Sequence, residues 1–340
     1  MAARVVVIGA GVYGAAVAAS LAGRGVNVTV VDAGAPAAGT SGATFAWINS
    51  CGKQPRAYHD LNVAGMEAHR KLGGDWFHEG GNLEWADAGS EWLRHKVAGV
   101  LDYGYDARWL TRAEALRLEP DLEPAALPDD EIAYFPREGW LEPTRMVAHL
   151  LSGVDVVRDA VVALEVGAGE VRSVRCASGH RIPVDAVVNC AGPMAAEVAQ
   201  LAGLSLPMRN RKGVLVYTSP VAVSIARVIH APQVHMRPDG GGRVVLHNED
   251  LDADQVLAAA GAVYPGMRDA SVESVRVGER PVPGDGLPVL GRVLELPNFH
   301  FAVSHSGVTL SVYAGDLVAA EVLGADQTDV LGPFRFERFQ

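Results

Sequence analysis

Cysteine patterns that staple a small fold or bind a metal are missing from this chain. It has three cysteines in 340 residues, and Cys51, Cys176 and Cys190 form neither a C-x-x-C pair nor a zinc spacing. Cys176 and Cys190 sit in strand-like runs and are expected to be buried, inert thiols. An odd number without pattern fits a reducing compartment. A basic surplus is missing too: 29 Lys and Arg stand against 40 Asp and Glu, a formal net charge of −11. Nucleic-acid binders carry the opposite sign, which sets that class aside. The first apolar run, Arg4 to Ile8, is too short and too soon broken by glycine to span a bilayer. It also starts too early for a signal peptide to precede it, so a cytoplasmic protein is expected. Internal repeats and low-complexity tracts are absent. With 49% hydrophobic and 20% charged residues the chain reads as globular rather than disordered. Its length implies about two domains and roughly three-quarters of the unfolded surface buried.

What is present begins at once. Arg4-Val5-Val6-Val7-Ile8 is the β-branched run of a strand buried on both faces. The turn Gly9-Ala10-Gly11-Val12-Tyr13-Gly14 follows, then an alanine-rich helix from Val12 to Arg24, then a second strand from Asn27 to Val31 with Asp32 at its end. This is G-x-G-x-x-G between strand and helix, the setting that makes the motif specific. Gly9 permits the tight turn, Gly11 lets a pyrophosphate reach the main chain, and Gly14 lets helix and strand pack closely. The helix N-terminus turns free N–H groups and positive potential toward the phosphates. Asp32, eighteen residues after Gly14, stands near the spacing of about 20 for an acid that bonds ribose hydroxyls. The unit signifies a dinucleotide and leaves FAD or NAD open.

The small-residue loop Ala33 to Ala43, with Gly39-Thr40-Ser41-Gly42, can lie against a flat cofactor or serve as a plain connection. Thr44 to Ser50 reads as a short ordered segment with Phe45 and Trp47 buried. A helix is expected from Gln54 to Leu72; its His59 and His69 are ten apart, not a metal spacing, and read as surface residues. Further helices are expected over Ser90–Leu101, from a capping box at Thr111 and Glu114, and from Pro143 through Leu151. Val171–Ala177 and Arg181–Val184 form a hairpin, and Asp185 to Gly192 a buried strand ending in small residues. Val234–Pro238 and Arg243–Leu246 flank a glycine loop as a second hairpin, followed by a helix over Asp252–Val263. Gly278 to Gly291 is rich in proline and glycine, Phe299–Val303 is a strand, and Gly307–Leu323 a helix. The fold class expected is α/β: a Rossmann-like nucleotide domain (1–50, 145–206, 276–340) interleaved with an α+β substrate domain (51–144, 207–275) holding an antiparallel sheet.

Four motifs carry a family resemblance: the opening unit with Asp32; Gly39-Thr40-Ser41-Gly42-Ala43; Val188-Asn189-Cys190-Ala191-Gly192-Pro193; and Gly278 to Gly291 together with Ser304-His305-Ser306-Gly307-Val308-Thr309-Leu310. Together they resemble the FAD-dependent D-amino-acid oxidase superfamily, which includes glycine oxidase and sarcosine oxidase, over nearly the whole chain. The last motif favours FAD over a nicotinamide cofactor. The resemblance implies a cofactor site of Gly9, Gly11, Val12, Tyr13, Gly14, Asp32, Ala33, Thr40, Ser41, Trp47, Val161, Ala191, Gly192, Arg280, His305, Ser306, Gly307, Val308 and Thr309. It also implies oxidation of a C–N bond by hydride transfer to flavin N5, giving an imine, with a small amine or amino acid as substrate and O2 or another acceptor taking the electrons.

By the same resemblance Arg280 matches the arginine that pairs with a substrate carboxylate, as its planar fork suits. His235 stands where glycine-oxidase-like relatives place a tyrosine near the substrate; a histidine there titrates near neutral pH if it keeps its ordinary pKa. The lysine with which sarcosine oxidases activate oxygen falls loosely at Val244, leaving oxidase and dehydrogenase both open. The cysteine or histidine that tethers flavin in covalent relatives has no counterpart, so noncovalent FAD is expected. Beside Gly307, backbone N–H groups rather than the His305 imidazole are expected to face the flavin C2 carbonyl. Two other readings stand beside this one: a nicotinamide-dependent dehydrogenase, and a non-catalytic FAD-binding assembly protein of the same fold.

Overall fold

The computed structural model describes residues 3–340. At its centre lies Arg4–Ile8, the middle of a six-stranded sheet ordered Val289–Arg292, Phe299–Val303, Ala186–Asn189, Arg4–Ile8, Asn27–Asp32, Asp155–Arg158. All neighbours run parallel except Val289–Arg292, which is antiparallel to Phe299–Val303. The unbroken apolar run has its reason in the two faces of the sheet. Val5 and Val7 enter one core with the helices Val12–Gly23 and Gly307–Val322. Val6 and Ile8 enter another, which takes in Val171 and Val174 from the three-stranded sheet Val161–Gly167, Glu170–Cys176, Arg181–Pro183. A strand covered on both sides has no polar face to alternate with.

The second large sheet has eight strands, ordered Val272–Arg280, Arg211–Thr218, Arg243–His247, Val234–Asp239, Val228–Ala231, Asn82–Glu84, Ile132–Phe135, Arg108–Leu110. It is antiparallel except where Val228–Ala231 lies parallel to Asn82–Glu84. One face packs on the helix Ala253–Val263, through Val256 and Ala260 against Met236 and Leu246. A small third sheet joins Trp47–Ile48, Gly139–Leu141 and Phe77–His78.

Both hairpins, the capping box at Thr111 and Glu114, and the burial of Cys176 and Cys190 are as the sequence implies. Three features differ. Val228–Ala231 and Val272–Arg280 are strands the sequence did not signal: the first has only four residues, and the second is an edge strand whose polar and apolar residues do not alternate cleanly. That second strand also crosses the boundary drawn at 275. His59 and His69 are buried, at 2% and 1% exposure, not on the surface. The helix Arg56–Leu72 that carries them packs along Gly307–Val322, close enough that a Cβ on Gly65 would collide with the Thr309 carbonyl oxygen.

Candidate active site

The opening turn is held from behind. Gly9 has φ +107°, a conformation that favours glycine, and a Cβ on Gly14 would strike the Gly9 carbonyl oxygen. Gly14 therefore lies under the turn rather than on the cavity wall, serving the close packing its position in the motif implies. Asp32 braces the turn with both oxygens: Oδ2 accepts the Ala10 N–H at 2.6 Å and Oδ1 the Gly34 N–H at 2.7 Å. The helix Val12–Gly23 starts at Gly11 with no side-chain cap and no acid in its first turn. Ser41 Oγ accepts the Val12 N–H at 3.0 Å, and Thr40 Oγ1 donates to the Glu279 carbonyl at 2.5 Å. Gly9, Gly11, Val12, Asp32 and Ala33 face a cavity of about 830 Å3, as do Thr40, Ser41, Val161, Ala191 and Gly192.

A second helix start faces the same cavity. Gly307–Val322 begins after Ser306, again with no side-chain cap and no acid in the first turn. Hydroxyl pairs pin the chain before it: Tyr13 with Ser304 at 2.8 Å and Tyr58 with Ser306 at 2.7 Å. His69 Nε2–H donates to the Val308 carbonyl at 2.8 Å. Tyr13, His305, Ser306, Gly307, Val308 and Thr309 all line the cavity. Burial, with the Lys53 and Arg280 charges, pushes the His305 imidazole down to about 4, so at neutral pH it carries no charge.

Beyond this lies the eight-stranded sheet. Register places His230 opposite His235, and His235 opposite His247. Glu84 stands opposite His230, which extends the row to a fourth strand. Directly opposed residues share a face of a sheet, so one row of side chains crosses these strands and lines the cavity. The three imidazoles are neutral. Burial pushes His235 down to about 4, His230 well below its ordinary value, and His247 down. His235 therefore does not titrate near neutral pH, contrary to the ordinary value assumed from sequence. His230 Nδ1–H donates to Asn82 Oδ1 at 2.7 Å, and its ring lies 4.2 Å from that of Trp47. Among the described residues no group of three or more His, Cys, Asp or Glu is placed to hold a metal ion.

Arg280 ends the strand Val272–Arg280 and lies across Gly213, where a Cβ would come 2.9 Å from its Nε. Its Nη2–H donates to His247 Nε2 at 2.8 Å, and its Nη1–H to Glu249 Oε1 at 2.7 Å. His247 Nδ1–H in turn donates to the Val214 carbonyl at 2.8 Å. Arg280, His235 and Trp47 thus share one cavity with the nucleotide turn. Several wall residues were not singled out from sequence: Lys53, Glu84, Lys96, His230, His247 and Glu249. Glu84 and Lys96 pair at 2.6 Å in the interior. Behind them the fully buried Glu138 accepts from Trp47 Nε1 (3.0 Å), Ser50 N (3.2 Å), Cys51 N (3.0 Å) and the Tyr105 hydroxyl (2.8 Å). Single histidines inside short apolar strands carry no signal until register aligns them.

A parallel sheet whose strand ends hold a glycine turn, with two helix starts on one cavity, defines a dinucleotide-binding protein. The particular class follows from comparison: the pattern of the DAO family, FAD dependent oxidoreductase, matches residues 4–321, and the chain belongs to that family. A glycine oxidase of Bacillus licheniformis is 26% identical, over 98% of this chain and 96% of its own. The crystal structure of iminodiacetate oxidase from Chelativorans sp. BNC1 superposes with a TM-score of 0.83 at 25% identity, covering 98% of each chain. Glycine oxidase from Geobacillus kaustophilus gives 0.85 at 24% identity, again over 98% of each chain. The chain is thus an FAD-dependent oxidoreductase, and its residues fit the cofactor: a glycine turn at one helix start, and a second helix start with neither a capping side chain nor an acid in its first turn. Among the described residues no helix is long and apolar enough to cross a membrane.

Proposed function

We propose that this protein oxidises the C–N bond of a small amine bearing a carboxylate, an amino acid or N-substituted amino acid. The observation that carries this reading is the Arg280 guanidinium, set at the cavity wall beside a row of uncharged imidazoles and on the same cavity as the nucleotide turn. Bound FAD supplies the two-electron acceptor. Arg280 holds the substrate carboxylate through charge-assisted bonds of roughly 1.5–3 kcal/mol each and so fixes the carbon that reacts. His230, His235 and His247, neutral and packed with Phe45 and Trp47, line the site without adding charge, which favours an amine that arrives unprotonated. The first turn of Gly307–Val322 lines the cavity without an acid, so its free N–H groups and dipole would stabilise negative charge there.

We take the cofactor site to be the residues named from sequence, with Gly14 acting through packing. Segments 1–50, 145–206 and 276–340 form the nucleotide part, supported by the six-stranded sheet drawing all its strands from them. Noncovalent attachment is supported by Cys190, a cavity-wall thiol that is buried and held protonated by that burial. Three buried free cysteines support a cytoplasmic setting. The test is anaerobic bleaching of the yellow holoenzyme by a panel of amines with and without a carboxylate. Arg280→Ala should raise KM for a carboxylate substrate at least tenfold, about 1.4 kcal/mol. Bleaching by amines regardless of carboxylate, with Arg280→Ala unchanged, would sink the reading.

A further inference from the structure

Arg280 already holds a carboxylate, and it belongs to the chain. The two partners of the guanidinium differ in how firmly they are fixed. His247 lies within the strand Arg243–His247, is buried, and is locked by its bond to the Val214 carbonyl. Glu249 lies just beyond the end of that strand, and its side chain is 63% exposed against 26% for Arg280. Both line the cavity, but His247 is fixed in it while Glu249 can rotate into solvent.

We propose that Glu249 is a resident competitor for the carboxylate site and so sets which substrates the site accepts. The proposal rests on the reading of Arg280 given above. A substrate carboxylate has the charge and shape of the Glu249 carboxylate and seeks the same N–H donors, so the two exclude one another on the Nη1 side of the fork.

The size follows from how often the pair is closed. Half-exposed ion pairs are weak, and a site competent only while the pair is open binds more weakly by the fraction of time it is open. The penalty for a carboxylate ligand is about two- to fivefold. An amine without a carboxylate does not engage Arg280 and escapes it.

Titration of the holoenzyme with acetate, followed by the visible flavin spectrum, tests this. Glu249→Gln should tighten acetate binding about two- to fivefold, Glu249→Asp by less, and neither should change the Kd of propylamine. Unchanged or weakened acetate binding in Glu249→Gln overturns the proposal, as does equal tightening of propylamine. Arg280→Met separates the two ideas. If it weakens acetate while Glu249→Gln has no effect, only the competitor is lost; if it leaves acetate unchanged, the reading of Arg280 and the competitor fall together.

Discussion

Replacing Glu138 by glutamine should release the Trp47 indole from its place on the cavity wall. The carboxylate is fully buried and asymmetrically loaded: Oε1 accepts from Ser50 N, Cys51 N and the Tyr105 hydroxyl, and Oε2 from Trp47 Nε1 alone. A glutamine amide satisfies the three-donor side with its oxygen, which leaves its NH2 facing the indole N–H. Two donors then meet in a dry interior, and one hydrogen bond is lost. The expected destabilisation is about 1–3 kcal/mol, read as a lower urea midpoint at unchanged m. The pH dependence has a definite sign. Burial raises the Glu138 carboxyl above the ordinary carboxylate range, so the folded state holds this proton more tightly than the unfolded chain. Its contribution is complete below the unfolded pKa and is lost as pH rises through the folded one. The glutamine variant has no such loss, so the stability gap between the two proteins is widest near pH 4 and narrows toward neutrality. Trp47→Phe removes the same donor, and the double variant should be more stable than the two single effects predict. Additivity within about 0.5 kcal/mol, or a gap that widens with pH, would refute the reasoning.

Gly9→Ala forces a side chain into φ +107° and against the Cys190 carbonyl oxygen, so the purified protein should lose most of its flavin absorbance while keeping its far-UV circular dichroism. Retained flavin at the wild-type ratio would show that the turn tolerates the shift. Because burial pushes His235 down to about 4, the rate of flavin reduction should show no ionisation of this imidazole between pH 6 and 8, and His235→Gln should leave the profile in that range unmoved. A limb near pH 6.5 that vanishes in the variant would contradict this. Trichloroacetic acid should leave a white pellet and a yellow supernatant; a yellow pellet would mean a covalent bond to the flavin.

Much of the nucleotide half was legible because its constraints are local. A buried strand, a glycine turn, a helix and an acid follow one another within thirty residues, and each obeys a rule of backbone geometry or burial. The buried helix histidines were misread because a spacing that excludes a metal pair does not place a histidine outside: His59 bonds Ser50, and His69 Nε2 bonds the Val308 carbonyl. The edge strand Val272–Arg280 was hidden because one open side removes the alternation that marks a half-buried strand.

By itself, then, the order of residues determined the α/β fold and the dinucleotide turn, since strand, helix and turn preferences act over neighbouring residues; the candidacy of Arg280 came from the family resemblance of its motif. Only the tertiary structure decided the substrate side. Glu84 is distant in sequence from His230, His235 and His247, these three stand on three different strands, and a row forms from the four only when strand register sets each opposite the next. Folding also brought Glu249, just past the strand Arg243–His247, onto Arg280, and burial made the imidazoles neutral. Pairing and desolvation are properties of the packed molecule, and no single stretch of sequence contains them.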